Sequence, residues 1–250
     1  VNTPILIVAF GTMSAAARQA YATFEAEVRA AFPEREISWA FTAKSLVARL
    51  REKGEEVRLL PEAYADLRAR GFERVALLSL HLVPGEQHRG IVDEDRQGLT
   101  VACAGPFLAT EADIEAVAQS LAAGLPQDRP VLVVAHGHAH EAQYNAELKA
   151  LGARLAQLHP DLLMTRLEGD EAPEALEAFI ARARARGGVH VEPFLYVAGD
   201  HVRNDILGDE PESLRSRLGV PDFSCAPSLG EQAWVRRHFI EQLRQVLENA

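Results

Sequence analysis

The 250-residue chain carries 26 Lys and Arg against 36 Asp and Glu, a formal net charge of −10 with its nine His neutral. Its 48% hydrophobic and 25% charged residues match a globular protein, which excludes a disordered or collagen-like chain, and the acidic balance argues against a nucleic-acid partner. Two isolated cysteines, Cys103 and Cys225, exclude a zinc ribbon or disulfide scaffold, and no apolar run reaches the roughly 18 residues of a membrane helix, so no membrane partner is expected.

Strands are predicted at 4–10, 37–41, 75–81, 100–102, 131–136, 163–167 and 189–197. Helices are predicted at 15–31, 43–53, 61–70, 112–123, 142–158, 173–186 and 231–247. The strand segments are short and rich in Val, Ile and Leu, as strands buried on both faces are. Pro61 and Pro173 stand where a first helical turn tolerates proline, and Gly71 and Gly187 follow last turns. Regular alternation of strand and helix predicts the α/β class, with parallel sheets flanked by helices. The opening strand is preceded by no basic segment, so a cytoplasmic protein is expected, or a periplasmic one if a leader preceded Val1.

An internal repeat organises the chain. Ile5-Leu6-Ile7-Val8-Ala9-Phe10-Gly11-Thr12 aligns with Val131-Leu132-Val133-Val134-Ala135-His136-Gly137-His138. Later, Val83-Pro84-Gly85-Glu86-Gln87-His88 pairs with Val197-Ala198-Gly199-Asp200-His201. The expectation is two similar lobes, 1–125 and 126–250, with a central cleft lined by these turns and the metal site in the second lobe. Turns after parallel strands lie at the carboxyl edge, where open α/β sheets bind ligands.

The second lobe concentrates the chemistry. His136-Gly137-His138-Ala139-His140 leaves a buried strand and enters a loop. Imidazole is the commonest metal ligand and a proton acceptor near neutral pH. Phe10 holds the matching slot of the first lobe, so the fold does not demand His136. His201 follows a Gly turn; if that turn opens a short helix, Asp205 lies one turn on and can orient the ring. Glu168 ends a third strand and completes a two-His, one-carboxylate set suited to Co²⁺, Fe²⁺, Ni²⁺ or Zn²⁺. Asp170 and Glu171 read more simply as companions of the next helix N-terminus. In the first lobe Gly11, Thr12, His88 and Arg89 are the substrate-binding candidates, and His81 reads as a core or rim imidazole. Arg18, Arg89 and Arg203 are candidates for a cationic lining.

The combined motifs resemble those of the sirohydrochlorin cobaltochelatases of CbiK type. They are Ala9-Phe10-Gly11-Thr12, Ala40-Phe41-Thr42, Ser79-Leu80-His81 through Glu86, His136-Gly137, Val197 through Asp205, and Ser228-Leu229-Gly230-Glu231. The resemblance implies two α/β lobes and insertion of Co²⁺, or Fe²⁺ in relatives, into a tetrapyrrole partner. It assigns His136, Glu168 and His201 as metal ligands; independently, insertion displaces two pyrrole protons, and neutral imidazole near neutral pH makes His136 the expected catalytic proton acceptor. It implies the metal as substrate and no organic cofactor; the partner expectations are the tetrapyrrole and, open from sequence, a homo-oligomer. Two other readings compete. One is a metal-dependent hydrolase, which would show phosphatase activity without tetrapyrrole binding. The other is a metal or tetrapyrrole carrier, which would bind without turnover.

Overall fold

The computed structural model describes residues 2–169 and 172–248. Contacts divide the chain into two compact units, 1–109 with 233–250, and 110–232. The first unit holds strands β1 (Ile5–Ala9), β2 (Ile37–Phe41), β3 (Arg74–Ser79) and β4 (Thr100–Ala104). Its helices are α1 (Ala15–Ala31), α2 (Lys44–Glu52), α3 (Leu60–Ala69) and α4 (Glu86–Asp93). The second unit begins with α5 (Glu111–Gly124) and holds β5 (Val131–Gly137), α6 (Ala146–Leu158), β6 (Leu162–Glu168) and α7 (Pro173–Arg186). It continues through β7 (Gly188–Phe194), α8 (Leu214–Leu218) and β8 (Asp222–Cys225). The last helix, α9 (Ala233–Glu248), returns to the first unit.

Both sheets are parallel, and the repeat is visible in their orders: β2-β1-β3-β4 and β6-β5-β7-β8. Ile5–Ala9 of β1 and the first five residues of β5, Val131–Ala135, are buried, as their unbroken apolar sequence requires. In the first unit Leu6 and Val8 pack with Tyr64 and Leu67 of α3 on one face. In the second, Leu132 and Val134 pack with Phe179 and Ile180 of α7 and with Val202 and Ile206. In both sheets the chain winds outward in opposite directions from the central strand. The order therefore reverses between β1 and β3, and again between β5 and β7. The carboxyl ends flanking such a reversal form the ligand crevice of an open α/β sheet.

The compact units differ from the expected boundary at 125/126. Helix α5 packs against α6, so the division falls before it. Helix α9 packs on β3 and β4, with Phe239 against Phe107 and Phe24 at ring-centroid distances of 5.0 and 6.2 Å. Arg236 Nε donates to Glu27 at 2.9 Å beside this apolar contact. The strand at 222–225 and the helices at 86–93 and 214–218 were absent from the sequence expectations. All three are too short for either periodicity to declare itself.

Candidate metal centre

His136 is the penultimate residue of β5, and the local backbone explains its setting. Gly137 follows with φ +79°, a conformation open to glycine. A Cβ there would stand 2.0 Å from the Glu168 carbonyl oxygen. Glycine thus lets the ends of β5 and β6 close up, with Gly137 opposite Glu168 in the register. The loop beyond is fastened by Asn145, which is 1% exposed. Its Oδ1 accepts from the His138 backbone N–H and its Nδ2 donates to the His138 carbonyl, both at 2.9 Å. The sequence reading missed Asn145; its only signal was a helix-capping residue type shortly after the His cluster.

His201 opens a six-residue π-helical turn, His201–Ile206, anchored by buried Val202 and Ile206. Single π turns are rare and concentrate at functional sites. The turn brings Asp205 back under the ring, where His201 Nδ1–H donates to Asp205 Oδ2 at 2.6 Å. His136 Nδ1–H donates to the Gly137 carbonyl at 2.9 Å. An oxygen that only accepts fixes the proton on each Nδ1, which leaves both Nε2 atoms as bare lone pairs in the neutral rings.

The two Nε2 atoms face each other at 3.0 Å, with the rings edge to face and their centroids 4.5 Å apart. Two opposed lone pairs repel unless a proton or cation lies between them. With metal–nitrogen bonds of about 2.1 Å, this separation subtends roughly a right angle at a shared ion. That is the angle between neighbouring corners of an octahedron. The carboxylate–imidazole contact from Asp205 is the usual support behind a metal-binding His.

The structure brings His136, at the end of β5, together with His201, at the start of the π turn that follows β7. Glu168 stands at the same level on β6, but its side chain is exposed. Among the described residues no three His, Cys, Asp or Glu side chains are gathered as a ready ligand set. His138 Nδ1 accepts from the Glu141 backbone N–H at 3.0 Å, so this ring caps the loop, and His140 is exposed. Asp170 and Glu171 lie outside the described residues.

In the first unit Gly11 has φ +102°, and Thr12 is 7% exposed, its Oγ1 accepting from the Ser14 N–H at 3.2 Å. His88 on α4 is only 8% exposed, with Nδ1 3.1 Å from Ser79 Oγ. Arg89 is exposed on the same helix, Arg203 is exposed on the π turn, and Arg18 is ion-paired with Glu55. No helix among the described residues is long and apolar enough to cross a membrane.

Comparison with known proteins agrees with this architecture. The family model for cobalt chelatase (CbiK) matches residues 3–248. The sirohydrochlorin cobaltochelatase of Salmonella typhimurium is 30% identical over 260 residues, covering 98% of this chain and 97% of that protein. The sirohydrochlorin cobaltochelatase CbiKC of Nitratidesulfovibrio vulgaris is 29% identical over 235 residues, covering 90% and 82%. Among solved structures, the sirohydrochlorin chelatase SirB of Bacillus subtilis subspecies spizizenii, in complex with cobalt, superposes with a TM-score of 0.63. It is 14% identical and covers 100% of this chain and 97% of its own, a likeness of fold. With nearly every residue of the chain inside the family match, and both sheets built on the chelatase pattern, the protein belongs to the cobalt chelatase (CbiK) family.

Proposed function

We propose that the protein is a sirohydrochlorin cobaltochelatase, inserting Co²⁺ into the metal-free tetrapyrrole, with His136 and His201 as the pair that delivers the ion. The family match and the similarity to the Salmonella enzyme support the activity. The observation that carries the site is the pair of bare Nε2 atoms 3.0 Å apart. Glu168, one strand away, is the third ligand in this reading; its exposed side chain turns in when the ion binds. The adjoining acidic residues Asp200 and Asp205 favour a divalent cation.

The reaction exchanges one divalent ion for two pyrrole protons. While the ion is held, both Nε2 lone pairs are committed to it. As the ion passes to the pyrrole nitrogens, the same lone pairs become vacant and can receive the two protons. His136 thereby serves first as ligand and then as base, and His201 does the same with Asp205 stabilising its cationic form. A neutral imidazole and carboxylate set without thiolate holds the ion loosely enough to release it. Gly11, Thr12 and Arg89 are proposed to serve the tetrapyrrole on the first unit, with the buried His88 supporting them from within. Fe²⁺ is the alternative ion for the same donors.

Anaerobic mixing of the protein with sirohydrochlorin and Co²⁺, followed by absorption, tests this reading. The expected result is conversion to the cobalt complex faster than in buffer, with His136→Ala at the uncatalysed rate. Tight binding of metal and tetrapyrrole without turnover would instead make the protein a carrier.

A further inference from the structure

The first unit has its own reversal of strand order, between β1 and β3, and the residues there are Phe10 and His81. In the register Val8 pairs with Ser79, so Phe10 and His81 continue the two strands at one level. Thr42 flanks Phe10 on the β2 side, its N–H donating to the Ala9 carbonyl at 3.0 Å. Thr42, Phe10 and His81 therefore form one row across three adjacent strand ends.

Phe10 is 51% exposed, the most exposed large hydrophobic side chain described. It is also held firmly. Gly11 takes φ +102° and packs so closely on Leu46 that a Cβ would stand 2.7 Å from it. Thr12 and Ser14 then tie the loop to the start of α1. An aromatic ring on a fixed backbone at a ligand crevice is a preorganised platform.

His81 has a matching construction. Ser79 Oγ lies 3.0 Å from His81 Nδ1 and 3.1 Å from His88 Nδ1, and Ser79 is fully buried. The hydroxyl has a single hydrogen and two lone pairs, so it donates to at most one of the two rings, and in the arrangement that uses its hydrogen here it accepts from the other. In that arrangement the two neutral rings hold opposite tautomers: one presents an Nε2–H donor, the other an Nε2 lone pair. His81 Nε2 lies 3.5 Å from Thr42 Oγ1, too long for a good hydrogen bond. His88 is only 8% exposed while His81 is half-buried, which makes His81 the member that meets a ligand.

We propose that Phe10 and His81 are the tetrapyrrole-positioning residues of the first unit, Phe10 stacking on the macrocycle face and His81 hydrogen-bonding one of its carboxylates. The inference rests on the chelatase reading and adds to it two residues. A flat conjugated ring system bearing carboxylates offers both chemistries, a π face for Phe10 and acceptor oxygens for the imidazole N–H. When the Ser79 hydroxyl donates to His81 Nδ1, the hydrogen of the neutral ring stands on Nε2, the arrangement in which His81 donates to a carboxylate.

Metal-free sirohydrochlorin is titrated anaerobically into wild type, Phe10→Ala, Phe10→Tyr and His81→Gln, with Co²⁺ titrated separately into each without tetrapyrrole. Circular dichroism confirms that each variant is folded. Losing the stacking ring is expected to weaken tetrapyrrole binding about tenfold in Phe10→Ala, while Phe10→Tyr restores it. His81→Gln is expected to weaken it by a similar factor, and Co²⁺ affinity is expected to be unchanged in all three. In turnover the loss is expected in KM. Wild-type tetrapyrrole affinity in folded Phe10→Ala and His81→Gln overturns the proposal and leaves the chelatase reading intact. A wild-type protein that binds no sirohydrochlorin overturns both.

Discussion

At the residue scale, the metal centre depends on where two imidazoles keep their protons. Asp205 and the Gly137 carbonyl hold them on Nδ1, which frees both Nε2 atoms. Asp205→Asn keeps the size but puts an amide, able to offer a donor, beside Nδ1. Loss of such outer support typically costs 10–100-fold in metal affinity, and that range is expected here in a Co²⁺ titration. His201→Ala removes a donor outright and is expected to lose more than Asp205→Asn. If the two variants bound equally well, His201 would not be a ligand. The Ser79-bridged pair yields a different prediction. Burial lowers the His81 pKa to about 4, with neighbouring His88 a smaller contribution, and burial lowers that of His88 as well. Unfolded His titrates near 6.5, so between about pH 6.5 and 4 the unfolded chain binds more protons. Stability is therefore expected to fall as pH drops through that window. Urea midpoints at pH 7.5 and pH 5 for wild type and His81→Phe check this: the variant should show the smaller loss.

At the element scale, glycines and short turns set the site more than the long helices do. Gly137 joins a positive φ to a contact that leaves no room for a Cβ. Gly137→Ala must strain the backbone or part β5 from β6, at an expected cost of about 1–3 kcal/mol measured by denaturant unfolding. The ends carrying His136 and Glu168 would then shift, so Co²⁺ affinity should fall with stability. A variant with wild-type stability would show that the strand ends adapt. The π turn has a related role. It buries Val202 and Ile206, four residues apart, while His201 and Asp205, also four apart, stay toward the surface.

At the scale of the whole molecule, each unit closes its own core, but the first does so only with the end of the chain. Val235, Phe239 and Leu243 of α9 are fully buried. A protein ending at Gln232 would leave Phe24 and Phe107 without their partner ring. It is expected to lose cooperative unfolding of the first unit, seen as a broadened or missing transition in thermal denaturation. The segment 110–232 contains all of β5 through β8 with α5 to α8, and so the complete His136–His201 pair. Expressed alone, it is expected to fold and bind Co²⁺, while 1–125 alone is not expected to fold. Cobalt binding lost from folded 110–232 would show that the pair needs the first unit.

The sequence by itself determined the class of fold, the repeat, and the strand ends that carry chemistry. Those features are written locally: in buried Val and Ile runs, in glycine turns, and in the contrast of His136 with Phe10 at one repeated position. It also held the His201–Asp205 contact, because four-residue spacing in a helical turn is a local relation. Only the tertiary structure decided that α9 completes the first unit, since an amphipathic helix does not say which sheet it covers. It alone placed His88 inside and His81 at the rim, because both follow the same strand and differ only in how α4 folds back over Ser79. The exposure of Phe10 was hidden for the same reason. An apolar residue ending a buried strand reads as core until the position of the next turn is known, and Gly11 turns the chain away before anything can cover the ring.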